Sequence, residues 1–395
     1  MEKLQVHLRS YQEAPDPRRI DVLDGIRVLC VLLVGWFHIW QQSWLAPSFT
    51  LFGERISLDF LLRSGYIWVD GLLLLSGFLL YLPCAQGKAP AILPFYKKRL
   101  IRILPSYLLC ILPLYIAALI RGDYPSLTDS FKDLAAHLTF THTLFPFSYQ
   151  NTPLNGALWT LGVEMQFYFL FPFLARAFKK VPSITWLGMT GAALAFRHYA
   201  AQQPDTTLYF NQLPAFLDVY ANGFLAASAF TALRKKLGNG KWDKHIRLFF
   251  SVLCILCICQ LIAMAKGQAG ANSYENIRLG QMERRFSLSV TLSCLMICAA
   301  CAGSGVRFLL GNPIMRFLSG VSFQFYIYHQ MFAVQLKKWG FPPSTVSEPW
   351  MKGDYNWQLS YTLCCFLGAL AIAALVTYLF ELPIARRLRR NVDKK

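Results

Sequence analysis

Residues 21–40, DVLDGIRVLCVLLVGWFHIW, have the apolar composition of a membrane-spanning helix but hold two side chains that can be cationic, Arg27 near the start and His38 well inside. Such groups cost about 2.5–3.5 kcal/mol near mid-bilayer on insertion scales, so they usually face a protein interior or a wet cavity. At about 100° per residue, the two side chains lie within about 20° of each other on one helix face, about 16 Å apart along the axis. The stretch therefore predicts a polar site that reaches into the membrane.

His38 is the candidate for proton transfer. Histidine titrates near neutral pH, so it can take a proton from a hydroxyl group and return it to a leaving group. The alternative is a structural histidine that hydrogen bonds hold in place, and a single sequence is equally compatible with both. We predict that His38 acts as a general base.

A cationic stretch, FYKKRLIRILPSY at residues 95–107, is predicted on the same side of the membrane as Arg27. Lys98 and Arg102 are four residues apart and Arg99 and Arg102 three apart, so one helix face can present several cations together. Guanidinium groups bind phosphates in a bidentate way, which predicts a phosphate site. The alternative is that these residues only orient the helix and contact lipid headgroups.

Two further apolar stretches contain polar side chains at helical spacing. ALWTLGVEMQFYFLFP has Glu164 one turn before Tyr168, and SGVSFQFYIYHQ places Ser322, Tyr326 and His329 on one face. A carboxylate in an apolar span is rarely passive. Glu164 could orient His38, change its pKa or pair with an arginine, and these three roles remain open.

The eleven cysteines include a C-x3-C-x2-C pattern, CLMICAAC, formed by Cys294, Cys298 and Cys301. In a soluble protein such a pattern could bind an iron–sulfur cluster. Here it lies in an apolar helix without the loop that a cluster needs, and cysteine is a common small buried residue. Because the histidines and carboxylates also lack local ligand spacing, we predict no metal site.

The composition indicates the elements that must position these residues. Of 395 residues, 55% are hydrophobic and 15% are charged, which is typical of an integral membrane protein. We predict an all-α, polytopic transmembrane helical bundle with both termini in the cytoplasm. Its ten spans lie near residues 22–44, 64–83, 104–120, 155–175, 183–197, 212–231, 246–265, 286–302, 314–335 and 357–380.

The net charge of +18 could suggest a nucleic-acid partner, but its distribution follows the predicted topology. With the N-terminus in the cytoplasm, 27 of the 39 Lys and Arg residues fall in cytoplasmic segments, as the positive-inside rule requires. We therefore predict the lipid bilayer, and no nucleic acid, as a partner.

Three segments make up the predicted domain organisation. Residues 1–20 form a cytoplasmic N-terminal arm, residues 21–385 a transmembrane domain, and residues 386–395 a basic cytoplasmic tail. No small-residue cleavage site follows the first apolar run, so we expect the first span to be retained. The longest loops, near 121–154 and 336–356, are predicted on the extracytoplasmic face.

Six short motifs, taken in chain order, resemble those of the membrane acyltransferase family 3. The first span of that family has an arginine followed, after ten residues, by a histidine, as Arg27 and His38 are here after LDGIR. VDGLLLLSGFLL is similar to the second span, with Ser76 and Gly77 at the Ser-Gly pair. The preceding GLLLLSG has fewer Phe residues than is usual in the family, a departure that concerns packing more than chemistry.

The remaining motifs extend the resemblance to residues 20–385. KKRLIRILPSY is similar to the family's R-x-x-R motif through Arg99 and Arg102. LWTLGVEMQFYFLFP resembles its Trp-Glu-Tyr span, FYIYH its late Tyr/His motif, and FELP its closing Glu-x-Pro. Each motif is weak alone, but their common order and spacing are specific.

The resemblance implies O-acylation, with acetyl-CoA in the cytoplasm as the donor and a hydroxyl of a surface or secreted glycan as the acceptor. It implies that His38 is catalytic, either as general base with Glu164 assisting or as a transient carrier of the acyl group. The donor-binding residues would be Arg27, Arg99, Arg102, Ser76 and Gly77. The supporting residues would be Tyr168, Ser322, Tyr326 and His329.

The resemblance also implies a multi-pass protein of the bacterial cytoplasmic membrane. Some relatives append an extracytoplasmic hydrolase-like domain that completes the transfer, and this sequence ends after its last span. We therefore expect it to deliver the acyl group itself or to pass it to a separate extracytoplasmic protein. We expect the donor to follow the face of the first span from Arg27 to His38, past Val31 and Val34.

Two other functions fit the same composition. Ten spans with a few buried charges are equally ordinary in a transporter or a flippase of a glycan precursor. A structural subunit of a glycan-export complex is the third possibility, and it predicts that the polar residues are dispensable.

Overall fold

The computed structural model describes residues 20–88, 90–237 and 243–393, and most of them are helical. The all-α bundle is therefore confirmed. Of the predicted terminal segments, residues 1–19 of the arm and residues 394–395 of the tail lie outside the described residues.

The regular elements follow one another as long helices joined by short segments. The first elements are α1 Val22–Ser43, β1 Ser48–Leu51, β2 Glu54–Ser57, α2 Asp59–Arg63, α3 Trp68–Ala85, α4 Ile92–Arg121, α5 Leu127–Leu138, α6 Pro146–Tyr149 and α7 Trp159–Lys180. The later helices are α8 Pro182–Ala201, α9 Leu217–Lys236, α10 Lys244–Ala269, α11 Tyr274–Cys301, α12 Ser304–Leu310, α13 Pro313–Lys338, α14 Tyr355–Val376 and α15 Leu382–Asp393. A π-helical turn, Thr377–Glu381, connects the last two helices.

Eight of these helical segments are long and apolar enough to cross a membrane. The other two predicted spans, near 183–197 and 314–335, are also helical and correspond to α8 and α13. These two helices do not reach the same apolarity in the described residues. The count of ten spans and the cytoplasmic position of both termini therefore stay predictions.

The helices begin and end at side chains suited to those positions. Asn312 caps α13 by accepting a hydrogen bond from the backbone N–H of Met315 at 2.9 Å, and Pro313 takes the first helical turn, where no N–H is needed. Gly122 ends α4 in the left-handed conformation, with φ of 70°, which a glycine adopts without strain. The 30-residue helix α4 therefore ends at a residue suited to stop it.

The bundle has two ends that differ in charge. We call the end that carries Arg102, Lys179, Lys235 and Arg307 the basic end. The opposite end carries the antiparallel β1–β2 hairpin together with α5 and α6. The basic end is the one that the charge distribution predicts to be cytoplasmic.

Close packing of α3 against α9 depends on two glycines. A Cβ on Gly223 would lie 2.7 Å from the carbonyl oxygen of Leu74, and one on Gly77 would lie 3.1 Å from the carbonyl oxygen of Tyr220. Because the two backbones touch here, larger side chains would force the helices apart. The pair α1 and α13 forms a second extensive contact, which brings the Arg27 and His38 helix beside Ser322 and His329.

Four fully or almost fully buried charges connect α3, α8, α9 and α11. Arg285 is 0% exposed and donates to Asp70 at 3.2 Å, and Arg197 donates to Asp218 at 2.6 Å. Both arginines also donate to the carbonyl oxygen of Ala215, at 3.3 Å and 2.9 Å. The shared carbonyl joins the two ion pairs into one network, which the sequence analysis did not single out.

A second buried network lies at the end of the bundle that carries α5 and α6. The hydroxyls of Tyr124 and Thr152 donate to Asp133 at 2.8 Å and 2.7 Å, and the rings of His137 and His142 stack with centroids 4.4 Å apart. Burial, together with the nearby His137, lowers the pKa of His142 to about 3. His142 is therefore neutral at neutral pH, which permits the close stacking.

We expect Asp70→Asn to destabilise the protein strongly, because it leaves the charge of Arg285 buried without a counter-ion. Breaking one partner of a buried pair typically costs about 3–5 kcal/mol. The exposed pair between Asp59 and Arg63, with atoms 3.7 Å apart, provides the control. Asp59→Asn should change the stability by less than about 1 kcal/mol. Unfolding of the purified variants in detergent measures both, and equal stability of the two variants would contradict the role of the buried pair.

Candidate active site

Two cavities lie in the bundle on either side of a shared wall. The first extends toward the basic end, and the second extends toward the opposite end. Val69 of α3 and Tyr326 of α13 line both cavities. A reaction that involves ligands from both ends of the bundle could therefore take place at this wall.

The first cavity, which we call the basic cavity, has a volume of about 220 Å³ and is lined by three arginines and one carboxylate, that of Glu164. The arginines come from two helices: Arg27 from α1, and Arg99 and Arg102 from α4. Further polar side chains on its wall are Ser76, Thr160, Tyr168, Ser322 and Tyr326. The cavity thus carries an excess of positive charge, which suits an anionic ligand.

Glu164 is held by two hydroxyl groups in the basic cavity. Ser76 Oγ donates to Glu164 Oε1 at 2.8 Å, and the hydroxyl of Tyr168 donates to the same oxygen. His38 does not line this cavity. Of the three roles that the sequence leaves open for Glu164, the geometry favours a place among the arginines over direct contact with His38.

The arginines of the basic cavity are held by different kinds of contact. Arg27 Nη1 donates to Ser319 Oγ at 3.3 Å, and that hydroxyl donates to Asp24 at 2.8 Å. The Arg99 guanidinium lies 5.4 Å from the ring centroid of Tyr168, within the range of a cation–π contact. Its Nε is buried without a hydrogen-bond partner among the described residues. Buried polar groups are rarely left unpaired, so this N–H is available to a ligand.

The second cavity, which we call the aromatic cavity, has a volume of about 640 Å³ and contains His38. Its aromatic wall residues are Phe37, Trp40, Trp44, Tyr66, Trp159, Phe210, Tyr274 and Tyr326. Its amide side chains are Gln41, Asn211, Gln268, Asn272 and Gln281. Two cations, Arg63 and Arg278, and the hydroxyl group of Ser273 also line it. The cavity combines flat apolar surfaces with groups that both donate and accept hydrogen bonds.

Gln41 holds the ring of His38 from one helical turn away. His38 Nδ1 lies 3.1 Å from Gln41 Oε1. An amide oxygen only accepts hydrogen bonds, so this contact is a hydrogen bond in the tautomer with the hydrogen on Nδ1 and the lone pair on Nε2. This is the protonation state that a general base at Nε2 requires.

His329 lies beside His38, with ring centroids 5.3 Å apart. Its Nδ1 donates to the backbone carbonyls of Tyr326 and Phe325, at 2.8 Å and 3.1 Å. Its Nε2 is therefore an acceptor, and this atom is buried without a hydrogen-bond partner among the described residues. The imidazole nearest to His38 is thus oriented by the backbone of α13.

The structure differs from two expectations, the role of Gly77 and the donor path along α1. Gly77 does not line the basic cavity, and its contact is with α9. Val31 lines the basic cavity, but Val34 is 0% exposed and belongs to the packed core. The expected groove along one face of α1 is therefore interrupted, because neighbouring helices cover that face between Val31 and His38. The two cavities meet instead at Val69 and Tyr326.

Other predicted residues do line a cavity. The sequence did not indicate several further lining residues. Ser322 lines the basic cavity, and its hydroxyl donates to the Ser319 carbonyl at 2.8 Å. The missed residues include Thr160 in the basic cavity and Gln41 in the aromatic one. Gln41 follows His38 by three residues, a spacing that would have indicated it. The aromatic cavity draws on distant segments and left no local signal.

Comparison with known proteins gives an independent result. A family model described as an acyltransferase domain, Acyl_transf_3, matches residues 20–380. Over 177 residues the chain is 30% identical to proteins named O-acetyltransferase OatA from Staphylococcus aureus strains NCTC 8325 / PS 47, COL and MRSA252. The alignment covers 41% of this chain and 26% of each relative, so the chain matches only about a quarter of their length.

No solved structure is significantly similar to the chain. The family match nevertheless covers all the described residues that line the two cavities, and it also covers His329. Its extent agrees with the bundle of long apolar helices. The protein therefore belongs to the membrane acyltransferase family 3.

Proposed function

We propose that the protein is an O-acyltransferase that moves an acetyl group from cytoplasmic acetyl-CoA to a hydroxyl of a glycan on the other side of the membrane. The observation that carries this proposal is the pair of cavities that meet at Val69 and Tyr326. One cavity is cationic and the other contains the candidate base. Neither a donor site nor an acceptor site alone would require both.

The basic cavity suits the thioester end of the donor. Pockets that enclose a whole drug-sized ligand typically measure about 300–1,000 Å³, so about 220 Å³ has room for only part of an acyl-CoA. Arg99 and Arg102 can bind phosphate groups in a bidentate way at the rim. The acyl group then lies deeper, toward Tyr326, while the nucleotide remains at the cytoplasmic surface.

The aromatic cavity suits a carbohydrate acceptor. Indole and phenol rings offer flat apolar faces with a polar edge, and amide side chains can donate to one hydroxyl while they accept from another. A sugar ring presents apolar C–H faces and a rim of hydroxyls, which complement both. The volume of about 640 Å³ lies within the usual range for a small ligand.

In the reaction that we propose, His38 Nε2 takes the proton from the acceptor hydroxyl. The oxygen of that hydroxyl attacks the carbonyl carbon of the thioester at the same time. The C–S bond then breaks, and the CoA thiolate leaves with the proton that His38 returns. Gln41 accepts a hydrogen bond from Nδ1–H throughout and so stabilises the imidazolium. A route in which His38 carries the acyl group transiently before the acceptor attacks uses the same residues.

A transporter or flippase would also have cavities that reach both ends of a bundle. Turnover separates the two functions. Purified protein given labelled acetyl-CoA and an acceptor glycan should release free CoA and label the glycan. A transporter would leave the thioester intact. If label appears only when a separate extracytoplasmic protein is added, that protein is the immediate acyl acceptor.

We expect His38→Gln to reduce acyl transfer by at least about 10²-fold, because glutamine keeps the size and hydrogen bonding of histidine but cannot transfer a proton near neutral pH. The matched control is His198→Gln, at an exposed histidine of α8 outside both cavities. Turnover of labelled acetyl-CoA, with expression checked for both variants, is the measurement. Unchanged turnover in His38→Gln would refute its role as the base.

We expect Gln41→Leu to lower kcat about tenfold with little change in KM. A hydrogen bond to a charged group is worth about 1.5–3 kcal/mol, and tenfold in rate corresponds to about 1.4 kcal/mol. The neighbouring Gln42→Leu is the control, because Gln42 does not line the aromatic cavity and contacts Lys337 only through its backbone carbonyl. Equal effects of the two substitutions would argue against a role for Gln41 in orienting His38.

We expect the double variant Arg99→Lys with Arg102→Lys to insert normally but to bind CoA more weakly, because lysine keeps the charge and loses the planar fork. Titration with CoA measures the affinity. The control variant Lys97→Arg with Lys98→Arg preserves charge at exposed positions on the same helix that do not line the cavity. If CoA affinity is unaffected, these arginines serve only to anchor the helix.

A further inference from the structure

A third cavity lies at the basic end and shares no described lining residue with the other two. Its volume is about 890 Å³, and it is open to the surface and bordered by the ends of four helices: α3, α7, α8 and α9. The residues on its wall include Tyr81, Cys84, Trp186, Leu187, Leu225 and Ser228. Its position corresponds to the surface of the inner leaflet if the basic end is cytoplasmic.

Two lysines line this cavity, and no acidic residue lies beside them on its described wall. Lys179, near the end of α7, donates to the carbonyl oxygen of Gly87 at 3.3 Å and so reaches toward the segment that follows α3. Lys235 belongs to the last turn of α9. None of the described lining residues is an aspartate or a glutamate. The two ammonium groups therefore favour an anionic occupant.

The face of α9 that lines the cavity also offers acceptors. Ser228, Thr231 and Lys235 are spaced by three and four residues, so they lie along one side of the helix. The Ser228 and Thr231 hydroxyls donate to the backbone carbonyls of Phe224 and Ala227, at 3.0 Å and 2.8 Å. Since their hydrogens are engaged, the oxygens can only accept from a ligand.

Another part of the wall is apolar. The Trp186 indole N–H donates to Asn222 Oδ1 at 2.9 Å, which holds the ring in place. Leu187 and Leu225 are 61% and 47% exposed beside it. Lipid acyl chains carry apolar groups that gain dispersion contacts with these side chains.

We propose that this cavity binds one anionic phospholipid with a hydroxylated headgroup, such as phosphatidylglycerol. The phosphate lies between Lys179 and Lys235, the headgroup hydroxyls donate to Ser228 and Thr231, and one acyl chain runs along Trp186. A phosphatidylcholine headgroup would bring a quaternary ammonium to the two lysines and has no hydroxyl to donate. The site therefore selects by charge and by hydrogen bonding.

Native mass spectrometry of the full chain tests the proposal. The protein is purified from micelles that contain equal amounts of phosphatidylglycerol and phosphatidylcholine with identical chains, and the retained lipid is counted. Because each lysine near a membrane surface contributes measurably to binding anionic lipid, the wild type should retain phosphatidylglycerol over phosphatidylcholine by about tenfold. Lys179→Gln with Lys235→Gln should abolish this preference.

The matched control is Lys180→Gln with Lys236→Gln, which removes the same charge from the same two helix ends at residues that do not line the cavity. It should behave as the wild type. Ala232→Trp fills the cavity without loss of charge, so it should also remove the lipid and covers the case in which the lysine variant folds poorly.

The proposal is independent of the proposed function, because lipid retention is measured without CoA or an acceptor. No preference in the wild type, or an unchanged preference in Lys179→Gln with Lys235→Gln, would overturn it. It is overturned as well if CoA displaces the lipid and this double variant weakens CoA binding, since the cavity would then bind the nucleotide of the donor.

Discussion

The two joined ion pairs are the constraint on which the site depends. Charges are expensive in a membrane interior, so Asp70 and Arg285 lie together only if α3 and α11 keep one relative position. Asp70 directly follows Val69, the wall residue that both cavities share. The buried pair thus fixes the position of Val69 in the wall between the two cavities. The Ala215 carbonyl extends the constraint to α8 and α9 through Arg197.

The polar residues inside the bundle fall into groups with different physical purposes. Charges of the ion-pair network face one another and have little exposed surface for a ligand, and Asp70 Oδ1 and Arg285 Nη2 are buried without a hydrogen-bond partner among the described residues. The arginines of the basic cavity instead outnumber the carboxylate beside them, and Arg99 keeps a buried N–H without a described partner. His38 differs from both, because it is partly exposed to a cavity and held at one nitrogen only. A place on a cavity wall therefore distinguishes the residues proposed to act from those that hold the fold.

The shared wall also explains how the basic cavity and the aromatic cavity can lie next to each other inside one bundle. Glu164 and the arginines share the basic cavity, while His38 and the amides share the aromatic one. Tyr326 contributes to both, and one turn later on α13 His329 packs against His38. A single helix therefore contacts the proposed donor and acceptor sites at once. This arrangement requires α1 and α13 to pack along much of their length, as they do.

The sequence by itself determined the helical membrane bundle, because apolar runs of about 20 residues have few other stable forms. It also indicated Arg27, His38, Arg99, Arg102 and Glu164, since ionisable residues in such runs are rare. It could not assign Glu164 to the arginines rather than to His38, nor show that Gly77 packs against α9. It also missed Asp70, Arg197, Asp218 and Arg285. These outcomes depend on which helices become neighbours, and helical periodicity reports the direction of a side chain but not the element that it meets.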